Sequence, residues 1–244
     1  MKGSTVKILA LVLVIAAPVF FFLLFRPLSK VPRPHPPHKL YPTGEVVSYK
    51  DADGKAFTDS LYHEIPNQVF TSHEGEKFEL DSMRGQVYVA DFFFATCPGI
   101  CPVMTKQLAR VQNAFIKDHN FKILSFTVDP ARDTLSALRE YARNNNAVPG
   151  KWYFLRTEKE EIFKLAKDGF FLVAKDNPGQ AESFLHSEKL TLVDAEGNIR
   201  GYYNGVDSNS VNKMMGDVVL LLRDMEKNYS FRKDPKKRGS LFTK

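Results

Sequence analysis

The longest apolar stretch of the chain lies near its start. Ile8 to Phe25 reads ILALVLVIAAPVFFFLLF without a charge, preceded by Lys2 and Lys7 and closed by Arg26. Eighteen apolar residues just reach the length of a membrane-spanning helix. A cleaved signal peptide usually has a shorter apolar region ending in small residues of the A-x-A kind. This run ends in Phe-Phe-Phe-Leu-Leu-Phe, and no cysteine follows it to take a lipid. The pattern therefore predicts an uncleaved N-terminal transmembrane helix over residues 8–25, within an anchor of residues 1–26. Basic residues on both flanks leave the orientation undecided by charge. An N-terminus inside, with the folded part outside the cytoplasm, is the topology taken here.

Residues 27–42, PLSKVPRPHPPHKLYP, are too rich in proline to form regular structure and are expected to run as a stiff spacer. His35 and His38 lie in it and read as solvated spacer residues. Residues 27–64 together form a linker and lead-in. From Val69 onward apolar runs alternate with helical patterns. A short strand pair is expected at 69–72 and 77–80, then a buried strand VYVADFFF at 87–94 that leads directly into Ala-Thr-Cys-Pro. A helix follows over 102–117, with Val103, Leu108, Val111 and Phe115 at helical spacing. FKILSFTV at 121–128 is a second buried strand, Asp133-Thr134 opens a helix through Asn144, and WYFL at 152–155 is a third strand. A helix over 158–168, a hairpin of 190–194 with 198–203, and an amphipathic helix over 210–227 complete the set. This order predicts an α/β, thioredoxin-like fold for a domain of residues 65–229, followed by a basic tail at 230–244.

The formal net charge of +6 changes meaning once it is divided along the chain. Lys2 and Lys7, then Arg26, Lys30, Arg33 and Lys39, sit in the anchor and spacer. Residues 232–244 carry six basic residues against Asp234, and the span between is net acidic. An acidic body with basic ends lacks the clustered basic face that phosphate contacts require, so nucleic acid is excluded as a partner.

The chain has two cysteines, Cys97 and Cys101, four apart in C-P-G-I-C where a buried strand meets a helix. Unpaired N–H groups and the positive dipole at a helix N-terminus favour the thiolate, the form that attacks disulfides and binds metals. A structural disulfide suits an extracytoplasmic domain, but closing so short a loop gains only about 2 kcal/mol in the chain-entropy model. Redox or metal chemistry is the better account, with Cys97 and Cys101 as redox-active thiols. A dithiol oxidoreductase normally carries C-x-x-C; three intervening residues suit two thiolates converging on a metal, given a third ligand from elsewhere. His186, in SFLHSEKLTLVD just before a strand, is on the loop that faces the cysteines in thioredoxin topology. Two thiolates and one imidazole make a soft, three-ligand site. Structural zinc and iron–sulfur clusters want four ligands, whereas copper accepts this set as Cu(I) or Cu(II). Oxidation of the pair to a disulfide would abolish binding.

At three places the sequence resembles the Sco/SenC family of copper proteins: Phe92 to Pro102 (FFFATCPGICP), Thr127 to Thr134 (TVDPARDT), and Leu185-His186-Ser187. The resemblance spans roughly residues 65–227. It implies a thioredoxin fold, copper ligation by Cys97, Cys101 and His186, and delivery of copper to, or thiol reduction of, the copper centre of a cytochrome c oxidase subunit. It also implies a membrane-anchored domain in the bacterial periplasm or, in a eukaryote, the mitochondrial intermembrane space. Asp129 matches an acidic position near the site. The chain departs from the family at Gly99, where an acidic residue is common, and at Leu185, where Asp is common. Neither departure removes a ligand. Copper chaperone and metal-free thiol–disulfide reductase both remain open, and His186 is what separates them. A non-catalytic interaction domain would leave the Cys/Cys/His set unexplained.

Overall fold

In a computed structural model of the chain, the structure describes residues 35–50, 56–172 and 188–233, together with residues 14, 16–18, 20 and 21, which are helical. Residues 1–35 and 36–244 form two separate compact units. Most of the expected transmembrane run lies outside the described residues, and among those described no helix is long and apolar enough to cross a membrane.

The larger unit carries a seven-stranded sheet built from β3 (Val69–Ser72), β4 (Lys77–Glu79), β5 (Val87–Phe93), β6 (Phe121–Thr127), β7 (Trp152–Arg156), β8 (Lys189–Val193) and β9 (Ile199–Asn204). Its strand order is β4-β3-β7-β6-β5-β8-β9. β5, β6 and β7 are parallel, and β3 and β8 run antiparallel to them on either side. The two parallel crossovers contain α1 (Cys101–Ala114) and α2 (Leu135–Asn144). Both crossovers step the same way across the sheet, so the handedness rule keeps both helices on one face.

Every residue of β5 is buried, as expected of a strand covered on both sides. Val87, Val89 and Phe93 enter a core with Met104, Leu108 and Val111 of α1, Leu138 of α2, and Val211, Met214 and Val218 of α4 (Ser208–Lys233). Tyr88, Ala90 and Phe92 enter the opposite core with Phe70, Phe126 and Ile162. That second face is covered by α3 (Lys159–Lys164), which widens into a π-helical turn at Leu165–Gly169. The helix expected over 158–168 is therefore not α-helical throughout. Phe170 N–H reaches back five residues to Leu165 O, and the extra residue lets the Phe170 ring pack against Phe92 and Phe126. Gly169 suits this turn, because a Cβ there would lie 2.9 Å from Leu165 and 3.1 Å from Pro66.

Two features of the lead-in were not legible in the sequence. β1 (Pro42–Lys50) and β2 (Ala56–Tyr62) pair as an antiparallel hairpin outside the main sheet. The end of the proline-rich spacer is also held against the β8–β9 turn. Arg200 donates to Pro37 O, Leu40 N–H to Ile199 O at 2.9 Å, and Lys39 pairs with Glu196 at 2.5 Å. An extended proline-rich segment has no internal hydrogen bonds, so its carbonyls remain available to such donors.

Candidate metal centre

Cys97 lies in the loop that leaves β5, and Cys101 is the first residue of α1. Both are free thiols and nearly inaccessible, at 6% and 5% exposure. The local sequence explains the placement: β5 ends after Phe93, Pro98 and Gly99 turn the chain, and Pro102 occupies the first turn of α1, where its missing N–H costs nothing. The N-cap residue of α1, Ile100, has no side chain that could cap it. The Cys97 sulfur fills that role, opposite the N–H groups of Gly99, Ile100 and Cys101.

The two thiols differ in their environments. Burial works against ionisation of Cys97, but a bond from the Cys101 thiol and the three backbone N–H groups outweigh it and hold Cys97 below the ordinary thiol value. Burial pushes Cys101 up to about 12; the Phe94 N–H opposes this, and its proton shared with Cys97 and the charge of Asp91 add to it. The site favours the thiolate at Cys97 and the protonated thiol at Cys101.

Three further groups surround the pair. Asp133 is 1% exposed and accepts the Ala95 N–H at 3.3 and 3.1 Å through its two oxygens. Its Oδ2 also accepts the hydroxyl of Thr127, whose oxygen in turn accepts the Asp129 N–H at 3.1 Å. Burial raises the Asp133 carboxyl above its ordinary value. Asp91, 2% exposed on β5, accepts the Ser125 hydroxyl at 2.5 Å, and Ser125 accepts the Trp152 Nε1–H at 2.9 Å. Burial raises Asp91 to about 7. Tyr141 of α2 shares a 2.8 Å hydrogen bond with Thr105 of α1 and packs its ring on Phe93.

Of the residues singled out from sequence, Cys97 and Cys101 come together in this structure. His186 falls in 173–187, outside the described residues. Among the described residues no group of three or more His, Cys, Asp and Glu could hold a metal ion. His35 and His38 are exposed, as spacer residues should be. Asp129 pairs with Arg132, and its neighbour Asp133 is the one that reaches the cysteine loop. The sequence pattern places Asp133 at the start of a helix and within TVDPARDT, and gives Asp91 no role of its own. A single charge inside VYVADFFF was the available signal, because a carboxyl in a strand buried on both faces must find a partner.

A family model described as SCO1/SenC matches residues 61–222. The SCO1 protein homolog of Bacillus subtilis (strain 168) is 30% identical over 167 residues, covering 68% of this chain and 86% of that protein. Among solved structures, BsSco, described as a member of the Sco family of cytochrome c oxidase assembly proteins with a disulfide switch, matches at 29% identity and TM-score 0.58. That match covers 69% of this chain and 96% of BsSco. ScoI of Bradyrhizobium japonicum, solved with copper bound, shares the fold at 21% identity and TM-score 0.53, over 64% of this chain and 98% of that one.

Proposed function

The chain belongs to the SCO1/SenC family, and from that premise we propose that it binds copper through Cys97, Cys101 and His186 and serves assembly of the copper centre of cytochrome c oxidase. The observation that carries this is the pair of buried free thiols at the β5–α1 junction. The sheet register supports the third ligand. β8 runs antiparallel to β5 with Ala90 opposite Thr191, so β8 starts at the end of the sheet where β5 gives way to the cysteine loop. His186 precedes the first described residue of that segment, Glu188, by two positions, a reach of at most ~7 Å.

The donor set fits copper as cargo. Two soft sulfurs and an imidazole favour Cu(I), and a three-ligand set leaves copper open to capture by a partner's ligands. Binding must displace the Cys101 proton, so metal uptake releases a proton and depends on the pair being reduced. The copper-bound ScoI and the oxidase-assembly role of BsSco support the reading. Residues 8–25 are proposed as the anchor that holds residues 65–229 outside the cytoplasm, in the periplasm or the mitochondrial intermembrane space, beside an oxidase subunit.

One observation favours a second reading, thiol–disulfide reduction of a copper protein's cysteines without bound metal. A thiolate-prone Cys97 beside a proton-holding Cys101 is the asymmetry of an attacking and a resolving thiol. His186→Ala separates the two. Metal analysis of the reduced protein should show copper affinity down by about tenfold to a hundredfold, with Cys97–Cys101 disulfide formation intact and oxidase assembly lost. Loss of copper with assembly fully retained would sink the chaperone reading in favour of the reductase. Unchanged copper would remove His186 from the site.

A further inference from the structure

We propose that Asp133 is the positioning residue of the thiol site, holding the loop that carries Cys97 over the carboxyl end of the sheet so that its sulfur meets the N-terminus of α1. The role rests on reading Cys97 and Cys101 as the functional thiols. Asp133 lies on a different loop from either cysteine, in the turn between β6 and α2. β5 and β6 are parallel neighbours with Phe93 opposite Thr127, so the loops that follow them leave the sheet side by side. Asp133 bridges the two. Both of its oxygens lie on the Ala95 N–H, two residues before Cys97, and one takes the Thr127 hydroxyl at the end of β6.

The bridge is itself fixed. Asp133 N–H bonds Asp129 O at 2.9 Å, and Thr127 Oγ1 receives the Asp129 N–H, so the turn is closed before it reaches across. Thr134 then caps α2 by accepting the Ala137 N–H. The Cys97 N–H bonds within its own loop, to Phe94 O at 3.2 Å, and Ile100, the N-cap residue of α1, makes no side-chain cap, so the tie from Asp133 is one that comes from outside the loop. A buried carboxylate is costly unless fully bonded, and this one divides its bonds between the Ala95 N–H of the neighbouring loop and the Thr127 hydroxyl. Holding a donor loop in register is the work of groups just outside a ligand set, whose removal lowers metal affinity without removing a ligand.

Removing the bridge should loosen the seat of Cys97 at the helix N-terminus, which favours the reduced pair. The test uses the full chain and two readouts. One is the equilibrium in which the Cys97–Cys101 disulfide and two glutathione thiols give the dithiol and glutathione disulfide. The other is Cu(I) affinity measured by competition. Asp133→Ala should shift the first by about tenfold or more toward the protein disulfide and weaken the second by about tenfold to a hundredfold. Asp133→Asn, whose amide oxygen still accepts the Ala95 N–H, should stay within about 1.5-fold of the parent in both. Should Asp133→Ala fail to fold, Thr127→Val frees one anchor of the carboxylate, and a shift of about threefold in the same direction is expected. A folded Asp133→Ala with a lower melting temperature but both equilibria unmoved would overturn the proposal, as would Asp133→Asn shifting as far as Asp133→Ala or an unmoved Thr127→Val. If the parent chain took up no copper, the functional reading would fall, while the glutathione equilibrium alone would still support or overturn the role of Asp133.

Discussion

Cys97 and Cys101 carry the same side chain four positions apart, and the fold treats them oppositely. Cys97 faces three backbone N–H groups and a thiol donor, whereas Cys101 sits deeper and burial makes it keep its proton. The asymmetry should appear in single variants. In Cys101→Ser, where a hydroxyl still donates toward residue 97, iodoacetamide should alkylate Cys97 with a pH midpoint below the ordinary 9.0. In Cys97→Ser, Cys101 should stay unreactive until well above 9.0, its pKa being near 12. Equal midpoints would show that the helix N-terminus does not act on one sulfur. Circular dichroism should find both variants folded with copper binding lost, since a bridge over so short a loop supplies only about 2 kcal/mol. The identity of the two thiols was legible from their spacing. Their division of labour was not, because it depends on which sulfur the backbone amides reach.

The three central strands are joined below the thiols by one polar line, Trp152 of β7 to Ser125 of β6 to Asp91 of β5. Asp91, raised from 3.8 to about 7, binds its proton more tightly in the folded chain than in the unfolded one. Between those pH values folding takes up a proton, so this group makes the protein less stable as pH rises through that window. Asp91→Asn keeps an acceptor for Ser125 and removes the charge. The variant should gain stability over the parent on the order of 1 to 4 kcal/mol at pH 8 and little at pH 4, measured by urea unfolding. Trp152 is the chain's single tryptophan, so its fluorescence in the parent should titrate near pH 7 and be flat in Asp91→Asn. A gain independent of pH would refute the buried charge. The strands themselves were readable, since β5 and β6 are unbroken apolar runs between turn signals. The β1–β2 hairpin and the π-helical turn were not: the hairpin has no clear alternation of apolar and polar residues, and the turn is a response to packing Phe170 between Phe92 and Phe126.

At the scale of the whole chain, residues at the end of the proline-rich stretch have a role that differs from what composition suggests. Residues 8–25 are expected to remain in the mature protein, so mass spectrometry of purified membranes should recover peptides from this run. A mature N-terminus beyond Phe25 would make it a cleaved signal. Arg200 and Lys39 tie the end of the proline-rich stretch to the β8–β9 turn. By itself the sequence determined the α/β order of elements, the buried central strands, the two thiols at a strand-to-helix junction and the family, because each is written in local pattern: apolar period, turn residues and the spacing of two cysteines. Only the tertiary structure decided that Asp133 reaches the Cys97 loop from another turn, that Asp91 is tied through Ser125 to Trp152, and that the spacer's end is clasped by Arg200. These are contacts between residues far apart in the chain, and which far residues meet is set by strand order and register, which no local pattern records.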